Sequence, residues 1–257
     1  MRKLLLIGMG PGDPSYLTLQ AVEALNRASV FFLPDKGAEK AELKTAREAI
    51  CRRFIKTPGA RFVSIDIPQR APAGDDYRAV VDDWHAAIAA RYAALLTSEL
   101  ADEGCGAFLV WGDPTLYDST LRILDRLRAQ GLAIDTEIIP GITAVQALAA
   151  RHRIALNRIG EPITITTGRK LAAGLPIDAD STVVMLDGDE TFAKIDPADL
   201  EIYWAANLGL ADEVLISGPL QDVAAEISRT RRQVREAKGW VMDIYLLRRG
   251  DTAKAEA

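Results

Sequence analysis

Apolar runs alternate with helical segments over the first 140 residues, and this alternation constrains the fold more than any other feature. The run LLLI at residues 4–7 enters a turn that contains Gly8, Gly10 and Gly12, and apolar residues at helical spacing follow the turn. A strand, a tight loop and a helix in this order begin a parallel sheet. The pattern therefore predicts an α/β protein with ligand loops at the carboxyl ends of its strands.

The remaining segments predict two α/β domains. In residues 1–140 we expect four more strands (VFFLP, RFVSIDIP, GAFLVWGDP, DTEIIPG) and helices over residues 38–54, 77–100 and 117–129, which gives a mostly parallel five-stranded sheet. Residues 141–257 begin with a helix over Thr143 to Arg151. They continue with four strand candidates (PITITTG, STVVMLDGD, EIYWAAN, WVMDIYLLRR) and one long helix, PLQDVAAEISRTRRQVREA. This second domain is predicted to contain a mixed sheet.

The first glycine turn resembles a dinucleotide-binding fingerprint, but two of its residues oppose a phosphate. Asp13 stands where the third glycine of the fingerprint is expected, and a carboxylate repels a pyrophosphate. Pro11 removes a backbone N–H from the loop. A nicotinamide-dependent oxidoreductase therefore stays only an alternative, beside a non-enzymatic nucleotide-sensing or scaffolding protein.

Composition narrows the possible chemistry further. The 257 residues include only two histidines and two cysteines, so we expect no metal site and no Ser-His-Asp hydrolase. The cysteines, Cys51 and Cys105, have no CxxC spacing, which favours the cytoplasm. A net charge of −5 argues against nonspecific nucleic-acid binding, and no apolar run approaches the roughly 20 residues of a membrane span.

Three motifs in a fixed order carry a family resemblance: GPGDP after the first strand, WGDPTLY after the fourth, and PGITA about 25 residues later. Together they resemble the tetrapyrrole methylases, the class III S-adenosylmethionine-dependent methyltransferases. The segments FLPDKG, WGDPTLYDST and ARHRIALNRIGEPI resemble a cobalamin-synthesis member that methylates a ring carbon and releases acetate. Other corrin and siroheme methylases, and relatives that modify a protein histidine or a ribosomal RNA ribose, share the three motifs.

The resemblance implies a tetrapyrrole as substrate, S-adenosyl-L-methionine as cofactor and S-adenosyl-L-homocysteine as product. It implies that the GPGDP loop lines the tetrapyrrole trough and that the cofactor lies between the two domains. The cofactor contacts carried over from the family are Pro11, Gly112, Asp113, Leu116, Thr143, Ala144, Asp187 and Leu208. Asp187 stands where several relatives have methionine, and capping of its own loop is an alternative role. A homodimer and hand-over of product to neighbouring pathway enzymes are further family expectations.

Catalytic and substrate-binding residues follow from the same resemblance. Relatives place a catalytic aspartate at the end of the second strand, a position that falls on Pro34 or, with one residue of slip, on Asp35. Asp35 is therefore the first candidate base, with an ordinary turn role as its alternative, Asp13 is the second candidate, and Lys36 is expected near the oxyanion. The tetrapyrroles of cobalamin synthesis, the precorrins, are polycarboxylates, so cationic side chains are expected in the substrate site. Within the basic run over residues 151–170, Arg169 and Lys170 follow a predicted strand end and are the better candidate carboxylate ligands.

Overall fold

The protein is described by a computed structural model over residues 1–35, 41–69, 71, 77–175 and 179–250. The chain divides into two compact units, Met1–Thr143 and Ala144–Ala257. In the described part of the chain, no helix has the length and apolar character needed to cross a membrane.

The first unit is a five-stranded sheet with helices between successive strands. Its elements are β1 (Arg2–Gly8), α1 (Leu19–Leu25), β2 (Val30–Asp35), α2 (Ala41–Phe54), β3 (Arg61–Asp66), α3 (Tyr77–Glu99), β4 (Cys105–Val110), α4 (Thr120–Ala129) and β5 (Ile134–Ile139). The strand order is β3-β2-β4-β1-β5, and all four pairings are parallel. This confirms the predicted α/β class and the parallel sheet.

Both faces of this sheet are buried. Helices α1 and α2 pack on one face through Leu25 and Ile50, against Leu5 and Ile7 among others. Helices α3 and α4 cover the other face, which includes Leu4 and Leu6. Burial on both faces explains why β1 is a continuous apolar run rather than an alternating one.

Strands β2 and β4 separate before they reach the carboxyl edge of the sheet. Their pairing ends at Phe32 and Phe108, whereas β4 stays paired with β1 as far as Val110. Strand β2 follows β3 instead, up to Asp35. Pro34, within this last part of β2, has no N–H to offer to β4. We call the resulting opening the β2–β4 gap.

The second unit contains a mixed sheet of order β6-β7-β10-β8-β9. Its elements are α5 (Ala144–His152), β6 (Ile163–Thr167), α6 (Gly168–Leu171), β7 (Ser181–Met185), β8 (Leu200–Ala206), β9 (Val214–Pro219), α7 (Leu220–Lys238) and β10 (Asp243–Arg249). Within this sheet, as far as the structure describes it, only the β6–β7 pairing is parallel. The predicted mixed sheet is confirmed.

Two details of the sequence prediction were wrong. The prediction of four strands in the second half missed β9, an edge strand beside β8 in the described sheet, because it carries Gly218 and Pro219, which weaken a strand signal. The predicted helix over residues 117–129 begins at Thr120 instead. Tyr117 has φ of 51°, a left-handed conformation that a helix does not accommodate.

Candidate active site

The three glycine-rich loops meet at the carboxyl edge of the first sheet. Gly10 and Gly112 form an antiparallel bridge with N···O distances of 3.2 and 2.9 Å. A Cβ atom added to Gly141 would lie 2.2 Å from the carbonyl oxygen of Gly112, and one added to Gly8 would lie 2.6 Å from the nitrogen of Gly141. These four residues, the glycine cluster, place three backbones in direct contact, and Gly8 and Gly141 leave no space there for a larger residue.

Asp113 fastens two of these loops together. Its carboxylate accepts hydrogen bonds from the backbone N–H of Gly141 at 2.8 Å and of Thr115 at 2.7 Å, and from the Thr115 hydroxyl at 2.5 Å. Burial raises the pKa of this carboxyl, but the three hydrogen bonds outweigh burial and hold the pKa below its usual value. Asp113 therefore links the WGD turn to the PGITA loop as an anion.

The predicted cofactor residues of the first unit surround this cluster. Gly112 is buried with φ of +69°, and an added Cβ would meet only the Cα of Thr143, at 3.9 Å. Pro11 is buried in the first loop, and Leu116 is partly buried after the WGD turn. The backbone at Gly112 is thus open on its side-chain side, which fits the close approach of a ligand.

Asp35 ends β2 at the same edge of the sheet. Its carboxylate accepts a hydrogen bond from Lys44 Nζ at 2.9 Å and one from the Ser64 hydroxyl at 3.4 Å. The hydrogen bond to Asp35 raises the pKa of Lys44. Lys36, the predicted oxyanion ligand, lies outside the described residues.

Asp13 has a local structural role in the GPGDP loop. Its side chain accepts hydrogen bonds from the backbone N–H and the hydroxyl of Ser15, at 2.8 and 2.7 Å, and so caps a short 3₁₀ turn over Pro14–Tyr16. This turn explains an acid in a position where a phosphate-binding loop has glycine.

In the second unit, Asp187 follows β7 and is 4% exposed. Its carboxylate accepts hydrogen bonds from the N–H and hydroxyl of Thr191, at 2.7 and 2.9 Å, from the Tyr245 hydroxyl at 2.6 Å, and from the N–H of Asp189 at 3.2 Å. A Cβ atom on Gly168 would lie 2.3 Å from this carboxylate. Asp187 therefore caps its own loop, as the alternative role required.

Leu208 is buried just after β8. Its neighbours Asn207 and Gly209 both have left-handed backbones, with φ of 53° and 73°. The Asn207 side chain accepts a hydrogen bond from the Met242 N–H at 3.3 Å and donates one to Asp212 at 2.5 Å. The side chain of Asn207 thus fixes the turn that carries Leu208.

The cations between residues 151 and 170 fall into two groups. Arg151 pairs with Glu213 at 2.5 Å, and Arg158 pairs with Asp180 at 2.7 Å, so both stabilise the second unit itself. Arg169 and Lys170 are exposed on α6, directly after β6. The two residues predicted to bind substrate are therefore accessible, as is Arg153.

Comparison with known proteins decides the family. The family Tetrapyrrole (Corrin/Porphyrin) Methylases matches residues 3–224. The chain belongs to this family. Family membership confirms the predicted methyltransferase activity with S-adenosylmethionine as methyl donor, and it leaves the oxidoreductase alternative without support.

Individual relatives add detail. A precorrin-6A synthase [deacetylating] from Sinorhizobium sp is 51% identical over 251 residues, which are 97% of this chain and 96% of that protein. A uroporphyrinogen-III C-methyltransferase from Paracoccus denitrificans is 29% identical, over 89% of this chain and 77% of that protein.

Solved structures agree with the sequence relatives. The structure of a putative cobalamin synthesis related protein (CobF) from Corynebacterium diphtheriae has a TM-score of 0.83 and 40% identity, covering 98% of this chain and all of that one. A uroporphyrin-III-C-methyltransferase from Thermus thermophilus, 21% identical with a TM-score of 0.63, covers 96% of this chain and 92% of its own and shares the fold. The tetrapyrrole methylase fold is thus confirmed over nearly the whole chain.

Proposed function

We propose that this chain methylates precorrin-5 at ring carbon 1 and releases the extruded acetyl group as acetate, giving precorrin-6A. The observation that carries the proposal is 51% identity to a precorrin-6A synthase [deacetylating] over 97% of the chain. The packed glycine cluster supports it, because the motifs that resemble the family are the ones that meet in space.

S-adenosylmethionine, when bound, supplies an electrophilic methyl group. In the first unit, the residues proposed to hold it are Gly112, Leu116 and Thr143, with Ala144 following at the start of α5. Asp113 keeps two of their loops in place through its hydrogen bonds to Gly141 and Thr115. Displacement at a methyl group needs aligned reactants and a dry site rather than a nucleophilic side chain, so positioning is the main task of these residues.

Pro11, Asp187 and Leu208 are also proposed cofactor-binding residues, and each is proposed to contribute in a different way. Pro11 offers a buried apolar ring, and the turn at Leu208 offers backbone groups. The Asp187 carboxylate accepts hydrogen bonds from Thr191 in its own loop and from Tyr245 on β10, so its proposed contribution is to shape that loop.

Acetate release needs different chemistry. A water molecule adds to the acetyl carbonyl and gives up a proton, the bond between the acetyl carbon and the ring breaks, and its electron pair stays on the ring while acetate leaves. We assign the base to Asp35, with Asp13 second, because the Asp13 carboxylate is already committed to its turn. Lys36 is proposed to stabilise the oxyanion.

The substrate carboxylates are proposed to bind Arg169 and Lys170 on α6. Alanine at both positions should weaken tetrapyrrole binding and spare binding of S-adenosylhomocysteine. Loss of cofactor affinity alone would show that the pair serves another purpose.

Incubation of the purified protein with S-adenosylmethionine and enzymically prepared precorrin-5 tests the function. We expect acetate and a product whose mass corresponds to precorrin-6A, in equal amounts. Omission of the methyl donor is the control. Absence of acetate would refute the deacetylating assignment.

One alternative rests on a specific observation, the 29% identity to a uroporphyrinogen-III C-methyltransferase. The same protein offered uroporphyrinogen III would then give methylated products without acetate.

A homodimer in the cytoplasm that hands its product to neighbouring pathway enzymes is also proposed, and light scattering tests the dimer.

A further inference from the structure

Arg47 on α2 is a buried cation in the first unit that the sequence analysis did not identify. It is 8% exposed, with Nε 3.3 Å from the carbonyl oxygen of Leu109 and Nη1 3.2 Å from that of Leu43. Its Cζ lies 5.6 Å from the centre of the Trp111 ring. Within the described residues, Nη2 has no hydrogen-bond partner and no carboxylate lies within 4.0 Å of the guanidinium.

The guanidinium occupies the β2–β4 gap. The carbonyl of Val110 points to β1, where it accepts a hydrogen bond from Met9. Successive carbonyls of a strand point to opposite neighbours, so the Leu109 carbonyl points to β2, which has already moved away. Arg47 therefore replaces the missing backbone donor of β2. Gaps at the carboxyl edge of an open α/β sheet are where such proteins bind ligands.

Comparison with Lys44 shows what Arg47 lacks. Both cations project from α2 toward this edge, but Lys44 has Asp35 at 2.9 Å, whereas the polar and ring partners of Arg47 in the described part of the chain are neutral carbonyls and the Trp111 ring. Burial lowers the pKa of Arg47, and the largest opposing influence is the charge of Asp118, whose Oδ1 accepts a hydrogen bond from the N–H of Thr120. A buried guanidinium without a carboxylate is costly, and such a site gains from an incoming anion.

We propose that Arg47 binds a carboxylate of the tetrapyrrole substrate. This inference rests on the proposed function, which supplies a polycarboxylate. The other carboxylate that could pair with the Arg47 guanidinium is that of the methionine part of the cofactor. Position favours the substrate, because Arg47 lies between β4 and β2, whereas the glycine cluster joins the end of β4 to the loops after β1 and β5.

The test compares Arg47→Met with Arg53→Met, an exposed cation in the last turn of the same helix. Arg47→Met should raise the KM for precorrin-5 by about 30-fold or more, which corresponds to about 2 kcal/mol. The affinity for S-adenosylhomocysteine should not fall. The melting temperature should change little, because removal of the buried charge offsets the loss of the donor to the Leu109 carbonyl. Arg53→Met should behave as wild type, and Arg47→Lys should recover part of the affinity.

Three results would overturn the proposal. An unchanged KM for precorrin-5 would show that Arg47 does not bind substrate. A selective loss of S-adenosylhomocysteine affinity would assign the carboxylate to the cofactor. A lower melting temperature with no change in KM would make Arg47 a structural residue. Failure of the wild-type protein to release acetate would instead refute the proposed function, so the two failures are distinguishable.

Discussion

Buried charged residues in this chain differ in how many of their hydrogen-bonding groups have partners. This difference distinguishes residues that fix a loop from a residue that can bind a ligand. Asp113 and Asp187 accept three and four hydrogen bonds, so each fixes a loop. Among the residues that the structure describes, Arg47 donates two long hydrogen bonds, both to carbonyls. A carboxylate surrounded by donors stabilises its loop, whereas an incompletely paired cation is a candidate for ligand recognition.

Asp113→Asn should destabilise the protein by about 1–3 kcal/mol. The amide nitrogen that replaces one carboxylate oxygen would face the N–H of Gly141 or Thr115, leaving a buried donor unpaired. Urea unfolding of the variant and wild type measures the effect. Asp125→Asn is the matched control, because Asp125 forms an exposed ion pair with Arg128 and should change stability by less than about 0.5 kcal/mol.

The difference in stability between wild type and Asp113→Asn should also depend on pH. The pKa of Asp113 is lower in the folded protein than its ordinary value of 3.8, so its contribution is fully present above that pH. The stability difference between wild type and Asp113→Asn should shrink as pH falls below about 4, through the folded-state pKa. A difference that stayed constant down to pH 2 would mean that the ionised form is not favoured.

Asp35→Asn tests the proposed base. Acetate release should fall by at least about 100-fold, because an amide cannot accept a proton from the attacking water. Calorimetry should find the S-adenosylhomocysteine affinity unchanged. Asp13→Asn is the parallel variant, and wild-type acetate release by Asp35→Asn would transfer the role to Asp13.

At the level of elements, backbone contact between loops explains why the three motifs contain glycine. Neither Gly8 nor Gly141 has a left-handed φ, so conformational freedom is not what requires glycine there. The requirement is space, since each would place a Cβ less than 3 Å from another loop's backbone. Gly112, in contrast, has room for a Cβ but a φ of +69°.

Gly141→Ala should therefore destabilise the protein strongly, by at least about 3 kcal/mol. The Cβ would lie 2.2 Å from a carbonyl oxygen, and a backbone atom cannot rotate away as a side chain can. Gly188→Ala is the steric control, because nothing lies within 4 Å of its added Cβ and its φ is not left-handed. If thermal unfolding gave both variants the same stability, the close contact of the loops would be wrong.

The sequence predicts elements better than it predicts what joins them. Continuous apolar runs and helical periodicity were sufficient for the parallel sheet, since both depend on neighbouring residues. Strand β9 was missed because an edge strand with Gly218 and Pro219 has a weak local signal. The hydrogen bond from Gly141 to Asp113 joins residues 28 positions apart in the sequence. In the sequence, Arg47 cannot be distinguished from the other charged residues of helix α2. Such features depend on tertiary approach, which no local pattern encodes.

At the scale of the whole molecule, the protein and its proposed substrate both carry a net negative charge. The chain has a formal net charge of −5, and a precorrin is a polycarboxylate, so the two repel at long range. The Debye length falls from about 30 Å at 0.01 M salt to about 8 Å at 0.15 M, so this repulsion is strong only at low salt. Recognition must then depend on a few local cations, of which Arg47 is buried and the least screened.

An unusual salt dependence follows. Between about 0.01 and 0.15 M salt, kcat/KM for precorrin-5 should rise, by less than about tenfold, because screening weakens the repulsion more than it weakens a buried ion pair. The KM for S-adenosylmethionine, measured in the same series, is the control for direct salt effects on the enzyme. A steep fall in kcat/KM for the tetrapyrrole would contradict this and indicate a broad basic surface that attracts the substrate before it binds.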